Sequence, residues 1–378
     1  MEIKKIAIVG AGLMGAGIAY VSALKGFEVG LNDMNEELVN KGMQRIRNDV
    51  MGGIDRGKMK PADGMKLIQA IKGSADLAEC VQDADLVIEA IFEKMEVKKA
   101  MFEKLDRLAP PHAILASNTS TLSISEIASA TERPEKVLGM HFFSPVPAMP
   151  LLELVAGKET SGEALEKAKE VGNILGKKLI ISKDGPGFIV NRVLGPTLGE
   201  FNKIYEARLA PIDLIEKAAV KDGLFPVGPF TLLDFVGLDV ALQAGKTLER
   251  AFGETYAVSP MLQKAVDMGH LGSKVGKGIQ DLAEDFEPKI STDEIMDRVI
   301  AVAVNEAAKC VHEEDITSVQ DVDIGMKLGT NWSDGPFQLA DKIGTSKIVG
   351  RLKSLQAEHG DFYKPSELLI QQGDKKFY

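Results

Sequence analysis

Cysteine and histidine are scarce in this chain of 378 residues, which has two of the first and five of the second. Cys80 and Cys310 lie far apart and form no CxxC pair, which excludes a disulfide framework and suits a reducing, cytoplasmic setting. Both read as buried apolar fillers. The chain also lacks an excess of positive charge: 45 Lys plus Arg stand against 55 Asp plus Glu, a net charge of −10. That is the wrong sign for a dedicated nucleic-acid binder or a protein of anionic membrane surfaces. One uncharged run is long enough to mislead, the 19 residues from Ile6 to Leu24 behind Lys4 and Lys5. Its four glycines and its β-branched opening, Ile6-Ala7-Ile8-Val9, suit a buried strand better than a signal peptide or a membrane span.

What is present is an ordinary globular composition, 45% apolar and 26% charged, at a length beyond one hydrophobic core. Through residue 184 short apolar runs alternate with helical stretches: 6–9, 29–31, 86–91, 114–117 and 137–143, with 151–156 and 178–181 as further strands. The alternation predicts an α/β domain, a Rossmann-like doubly wound parallel sheet with helices on both faces. Turn residues cluster at Lys183-Asp184-Gly185-Pro186-Gly187, and helical patterns take over beyond them, so a boundary is placed there.

The remainder contains a repeat. Arg192 and Glu200 recur as Arg298 and Glu306, a shift of 106. Gly228-Pro229-Phe230, Asp234, Gly237, Gly253 and Tyr256 recur as Gly335-Pro336-Phe337, Asp341, Gly344, Gly360 and Tyr363, a shift of 107. The expected organisation is a nucleotide-binding domain over 1–184 and an all-α region of two repeated helical domains, 185–285 and 286–378. Two copies can pack about a pseudo-twofold axis, burying within one chain what a homodimer buries between chains. A monomer with such an internal pseudo-dimer and a homodimer both remain open.

Gly10-Ala11-Gly12-Leu13-Met14-Gly15 has GxGxxG spacing between a predicted strand and a predicted helix. The glycines permit a tight turn, close approach of a pyrophosphate and close helix packing, while the helix start at Gly12, Leu13 and Met14 offers N–H groups and a positive dipole. Asp33 ends the second strand, placed to bind an adenosine ribose, and no Arg or Lys just beyond it could hold a 2′-phosphate. NAD is therefore favoured over NADP. Turn glycines and a helix-capping Asp33 are the plain alternative.

His112, His270, His312 and His359 read as surface residues, but His141 ends an apolar run at the predicted C-terminal edge of the sheet. Glu153, flanked by leucines on the next strand, would be costly there unless paired. A histidine held by a carboxylate through one ring nitrogen is the arrangement a proton-abstracting base requires. Ser117-Asn118-Thr119-Ser120 lies on the same edge and Asn191 opens the helical part, with helix capping and an ordinary helix start as the plain readings. No metal-ligand spacing is apparent. Between Lys41 and Lys60 six basic residues face two acids, which suits either a polyanionic ligand tail or a solvated helix.

Together the glycine loop, Ser117-Asn118-Thr119-Ser120, His141-Phe142-Phe143-Ser144-Pro145-Val146-Pro147 with Glu153, and Gly187-Phe188-Ile189-Val190-Asn191-Arg192 resemble the L-3-hydroxyacyl-CoA dehydrogenase family over nearly the whole chain. The duplicated helical region looks like the dehydrogenase part of fatty-acid-oxidation multienzymes. The resemblance implies NAD-dependent, reversible oxidation of (S)-3-hydroxyacyl-CoA to 3-oxoacyl-CoA, in β-oxidation or 3-hydroxybutyryl-CoA metabolism, with an enoyl-CoA hydratase as a possible partner. It implies that His141 is the base, Glu153 orients it, and Ser120 and Asn191 bond the substrate oxygens. Ser120, Glu93, Lys98 and Lys274 match cofactor contacts; without the resemblance Glu93, Lys98 and Lys274 would read as solvated charges. Ser144 stands where the family usually has Asn, a shorter side chain for that contact. Coenzyme A contacts do not carry over residue by residue. The alternatives are a related hydroxy-acid or sugar-acid dehydrogenase acting on a free carboxylate, and a catalytically silent NAD-binding protein.

Overall fold

The computed structural model describes residues 3–378, which divide into two compact units, 3–184 and 185–378. In the first unit the order is β1 (Lys5–Val9), α1 (Leu13–Leu24), β2 (Glu28–Asn32), α2 (Glu36–Asp55), α3 (Pro61–Gln69), β3 (Ile71–Ser74), α4 (Leu77–Val81), β4 (Leu86–Glu89), α5 (Met95–Leu108), β5 (Ile114–Ser117), α6 (Ile124–Ala128), β6 (Val137–Phe142), β7 (Leu151–Ala156), α7 (Gly162–Ile174) and β8 (Lys178–Lys183). The strands form one sheet in the order β3-β2-β1-β4-β5-β6-β7-β8. β1 and β4 are buried throughout apart from Lys5, which is why they read as unbroken apolar runs instead of alternating ones. Ile6, Ile8, Leu31 and Ile88 join Ile18 of α1 and Ile46 of α2 in the core. Cys80 packs into this domain against Gly30, where a Cβ would lie 2.8 Å from its Sγ, and burial pushes its thiol pKa up to about 12.

Two details depart from the sequence reading. β3 was not expected, because Ile-Lys-Gly-Ser has a single buried residue and presents no apolar run; it is recruited as an edge strand by pairing with β2. The sheet is also not wholly parallel. β7 runs antiparallel to β6, with His141 opposite Glu153, and β8 then pairs parallel to β7. The residues joining β6 to β7, 143–150, are too few for a crossover, so the chain can only turn back on itself.

The second unit is helical: α8 (Val190–Glu206), α9 (Ile212–Lys221), α10 (Pro229–Val236), α11 (Leu238–Phe252), α12 (Pro260–Asp267), α13 (Thr292–His312), α14 (Val319–Thr330), α15 (Pro336–Ile343), α16 (Thr345–His359) and α17 (Glu367–Gln372). The repeated Gly-Pro-Phe has one explanation in both copies. Pro takes the first helical position, and an acid from the preceding helix accepts the next free amides: Glu216 from Phe230, at 2.7 Å, and Asp323 from Phe337, at 2.8 Å. A Cβ on Gly228 or Gly335 would fall 1.9 or 2.2 Å from that carboxyl group, so glycine is required.

α8 and α13 pack antiparallel, and their repeated Arg and Glu residues exchange partners. Arg192 bonds Glu306, and Arg298 bonds Glu200. Tyr256 and Tyr363 close each pair, their hydroxyls donating to Glu306 at 2.8 Å and Glu200 at 2.9 Å. Arg192 and the two glutamates are at most 1% exposed, and Arg298 is 6% exposed. Cys310 is buried beside the Arg192 cluster, and burial raises its thiol pKa far above the ordinary value. Ion pairs sealed this well seldom add net stability, yet halving one is severe, because a buried charge is then left uncompensated. Glu200→Met should therefore cost about 3–5 kcal/mol in urea unfolding of the helical unit, and adding Arg298→Met should recover most of it. A double variant no more stable than the single one would contradict this account of the pair.

Candidate active site

The glycine loop occupies the C-terminal end of β1, beside β4, where the strand order reverses. Gly10 has φ +106°, and a Cβ on it would come within 2.5 Å of the Ala90 carbonyl oxygen; one on Gly15 would lie 1.7 Å from the Gly10 carbonyl oxygen. Gly12 is the opposite case, with open space where its Cβ would be. It caps α1 without a side chain to occupy the amides of the first turn, so the helix start is shaped for a bound anion. Asp33 closes β2, its carboxylate accepting the amides of Ala11 and Met34, each at 2.7 Å. The cap of α2 is Asn35, so Asp33 is not a helix cap. Leu13, Met34 and Phe92 stand 66%, 76% and 73% exposed on this edge, an apolar frame suited to the flat faces of a dinucleotide. These features fit an NAD cofactor.

At the end of β4 lies a charged network whose inner members, Glu89 and Lys98, are sealed from water, while Glu93 is partly exposed. Glu89 accepts the Lys98 ammonium at 2.6 Å, the Ser117 hydroxyl at 2.6 Å and the Ile91 amide at 2.7 Å. Lys98 is 1% exposed, so it is not the solvated charge its sequence context suggests; its ammonium also lies 3.3 Å from Glu93. Glu93 in turn accepts the Thr119 hydroxyl at 2.5 Å and the Ser120 amide at 2.9 Å, with the Ser120 hydroxyl at 3.4 Å. Burial pushes the Glu93 carboxyl up, but Lys98, Thr119 and Ser120 outweigh it and hold the pKa below the ordinary 4.5. The short α6 is capped by Ser123, not by the 117–120 turn, which is spent on Glu89 and Glu93 instead.

One strand further, His141 Nδ1 meets Glu153 Oε2 at 2.8 Å across the β6–β7 pairing. Glu153 is 0% exposed and His141 6%, with the Phe143 ring centroid 4.4 Å from the imidazole. A carboxylate beside Nδ1 requires that nitrogen to carry the proton, which leaves Nε2 as the basic atom. The Asn118 side chain accepts the Phe142 amide at 2.9 Å and so ties the 117–120 turn to the strand carrying His141.

Ser144 is exposed in the turn after β6. In the second unit Asn191 lies in the first turn of α8, half-buried, and the Lys274 ammonium is taken by Asp239 at 2.5 Å. His270, read as a surface residue, is half-buried with Nδ1 3.2 Å from the Gly278 carbonyl. The basic residues of the 41–60 segment are exposed along and just beyond α2, with Lys41 paired to Glu37. Among the described residues no group of His, Cys, Asp and Glu could hold a metal, and no helix is long and apolar enough to cross a membrane.

Residues 5–185 match the model of the 3-hydroxyacyl-CoA dehydrogenase NAD-binding domain, and residues 187–282 and 295–377 each match the model of that family's C-terminal domain. The chain belongs to the 3-hydroxyacyl-CoA dehydrogenase family. The fatty acid oxidation complex subunit alpha of Idiomarina loihiensis is 36% identical over 391 residues, covering 98% of this chain and 55% of that protein. The chain thus spans about half the length of that curated relative. A 3-hydroxybutyryl-CoA dehydrogenase structure from Escherichia coli K12 covers 98% of both chains at 28% identity and a TM-score of 0.89. An (S)-3-hydroxybutyryl-CoA dehydrogenase from Ralstonia eutropha is 34% identical with a TM-score of 0.71, covering 98% of itself but 74% of this chain. The dehydrogenase family thus includes structures shorter than this chain by about the length of one helical copy.

Sequence reasoning passed over Glu89, the hub of the network at the end of β4 in the nucleotide-binding domain. Its available signal was an acid closing an otherwise apolar strand, the same signal that singled out Glu153. The network is open to a direct test. Glu93, with its lowered pKa, contributes stability that is complete above 4.5 and lost as pH falls through the lower folded value. Lys98→Met removes the largest of the effects that hold the Glu93 carboxyl down, so its pKa should rise and this pH-dependent stability should shrink. The variant should lose about 3–5 kcal/mol near neutral pH, and its melting deficit should shrink towards about pH 4. A deficit independent of pH would contradict the assignment.

Proposed function

We propose that this chain catalyses the NAD-dependent, reversible oxidation of (S)-3-hydroxyacyl-CoA thioesters to 3-oxoacyl-CoA. The observation that carries the reading is the His141–Glu153 pair, buried on the sheet edge that also bears the glycine loop. Gly10, Gly12, Leu13, Met14 and Gly15 would hold the pyrophosphate, and Asp33 the adenosine ribose, with Glu93, Ser120 and Ser144 towards the nicotinamide end. Lys98 acts through Glu93, since its ammonium is enclosed by Glu89 and Glu93. Lys274 remains a candidate contact from the helical unit. NAD is preferred to NADP because the acid at Asp33 is followed by Met34-Asn35-Glu36-Glu37, with no cation for a 2′-phosphate.

Neutral His141 removes the proton of the 3-hydroxyl through Nε2, and Glu153 stabilises the imidazolium that forms. When bound, NAD supplies the acceptor for the hydride that leaves the same carbon. Ser120 and Asn191 bond the substrate oxygens, and the developing 3-oxo group is the place where such donors matter most. The exposed basic residues between Lys41 and Lys60 offer charge for the phosphates of coenzyme A. The second copy has Asp297 where Asn191 would fall, so the chain has one site and binds one equivalent of NAD.

NADH oxidation with acetoacetyl-CoA, compared with free acetoacetate, tests the substrate class: the thioester should react and the free acid should not. Preference for the free acid would move the enzyme to the hydroxy-acid dehydrogenases, and no reaction with either despite NADH binding would favour a silent protein. His141→Gln should keep NADH affinity in a fluorescence titration while kcat falls by about 10² to 10⁴. Full turnover in that variant would remove His141 from the mechanism.

A further inference from the structure

The two helical copies are not equal partners, and their differences gather at Arg192, the neighbour of Asn191. Among the described residues Arg298 pairs with one carboxylate, Glu200, whereas Arg192 pairs with two, Glu306 and Glu314. Glu314 takes Arg192 with both oxygens, at 2.6 and 3.1 Å from one and 3.3 Å from the other. It has no counterpart in the first copy. The helix caps Ala207 and Glu313 correspond at a shift of 106, while the following residues of positive φ, Arg208 at 53° and Asp315 at 48°, correspond at 107. The extra residue between those positions is Glu314.

The helix receiving this additional partner is the one with the weaker start. α8 begins at Val190, so Arg192 lies in its first turn, whereas α13 begins at Thr292 and Arg298 is already preceded by more than a turn of helix. Pro196 follows in α8, and lacking an N–H it cannot bond the Arg192 carbonyl; Val302 holds the matching place in α13. The Arg192 side chain adds a charged anchor to the backbone bonds of this turn, Arg192 N–H to the Gly187 carbonyl at 3.0 Å and Val193 N–H to the Ile189 carbonyl at 3.2 Å. That side chain is 1% exposed, fixed by Glu306 and Glu314, bonded to the Tyr256 hydroxyl at 3.2 Å and packed 4.4 Å from the Phe252 ring centroid. Successive helical residues point about 100° apart at a radius of about 5 Å, so a rotation of about 20° displaces the Asn191 amide by roughly 2 Å. Displacements of about 1 Å are enough to cost two orders of magnitude in rate.

We infer that Glu314 is a positioning residue for Asn191, acting through Arg192, so that the second helical copy completes the site borne by the first. The inference rests on the reading of Asn191 as a substrate contact. Glu314→Gln and the mirror variant Glu200→Gln, both in the full chain, test it. Glu314→Gln should speed hydrogen exchange in residues 187–198 and lower kcat/KM for acetoacetyl-CoA by about tenfold or more, with the NADH dissociation constant unchanged. Glu200→Gln should speed exchange around Arg298 and leave kcat/KM within about twofold, even where it lowers the melting temperature more. Unchanged exchange at 187–198 in Glu314→Gln overturns the proposal, as does faster exchange with unchanged kcat/KM or an equal kinetic loss in the mirror variant. A parent chain without turnover defeats the thioester reading instead, and the exchange result then still decides whether Glu314 holds the turn.

Discussion

A carboxylate taken out of water must be matched by a cation or by donors that replace its hydration, and four glutamates of this chain are subject to that constraint. Glu89, Glu153, Glu200 and Glu306 are each at most 1% exposed. Their partners are Lys98, His141, Arg298 and Arg192, with Ser117 and two tyrosine hydroxyls sharing the load. Unpaired, each would cost several kcal/mol or be driven to protonate. The positions of these pairs therefore dictate much of what must be held still: the 117–120 turn, the orientation of the His141 imidazole and the axis between two helical copies.

The same physics serves different ends in the two units. At His141 the carboxylate fixes the imidazole through Nδ1, and the antiparallel return of β7 after the 143–150 turn brings the acid directly opposite it. At Glu89 the pairing is structural. It anchors Lys98, which lowers the pKa of Glu93, which in turn organises Thr119 and Ser120. Between α8 and α13 exchange of partners fastens one copy to the other, and the duplicated motif explains itself: Arg and Glu two turns apart on one helix meet Glu and Arg two turns apart on its antiparallel copy.

Duplication also lets the two copies diverge. The second copy has Asp297 in place of the amide at Asn191, an intact helix start and the additional Glu314. A symmetric pair of subunits could not place an extra acid on one side alone. A single chain can, and here the acid falls on the side that bears Asn191.

Much of this protein was legible along the chain, because the signals are local. Glycine spacing, runs of apolar residues, a carboxylate at the end of β2 and a repeat at constant shift disclosed a nucleotide-binding domain, a helical region of two copies and the candidate base, since turn geometry and periodicity are properties of neighbouring residues. Cys80 and Cys310 as buried fillers, His112 as a surface residue and the pairing of His141 with Glu153 were readable from flanking residues alone. The reversal of β7, the edge strand β3, the burial of Lys98 and the grip of Glu314 on Arg192 were decided by tertiary structure. A lysine or glutamate has the same letter whether solvated or sealed in a core, and which groups share a dry interior depends on segments brought together from up to 163 positions apart.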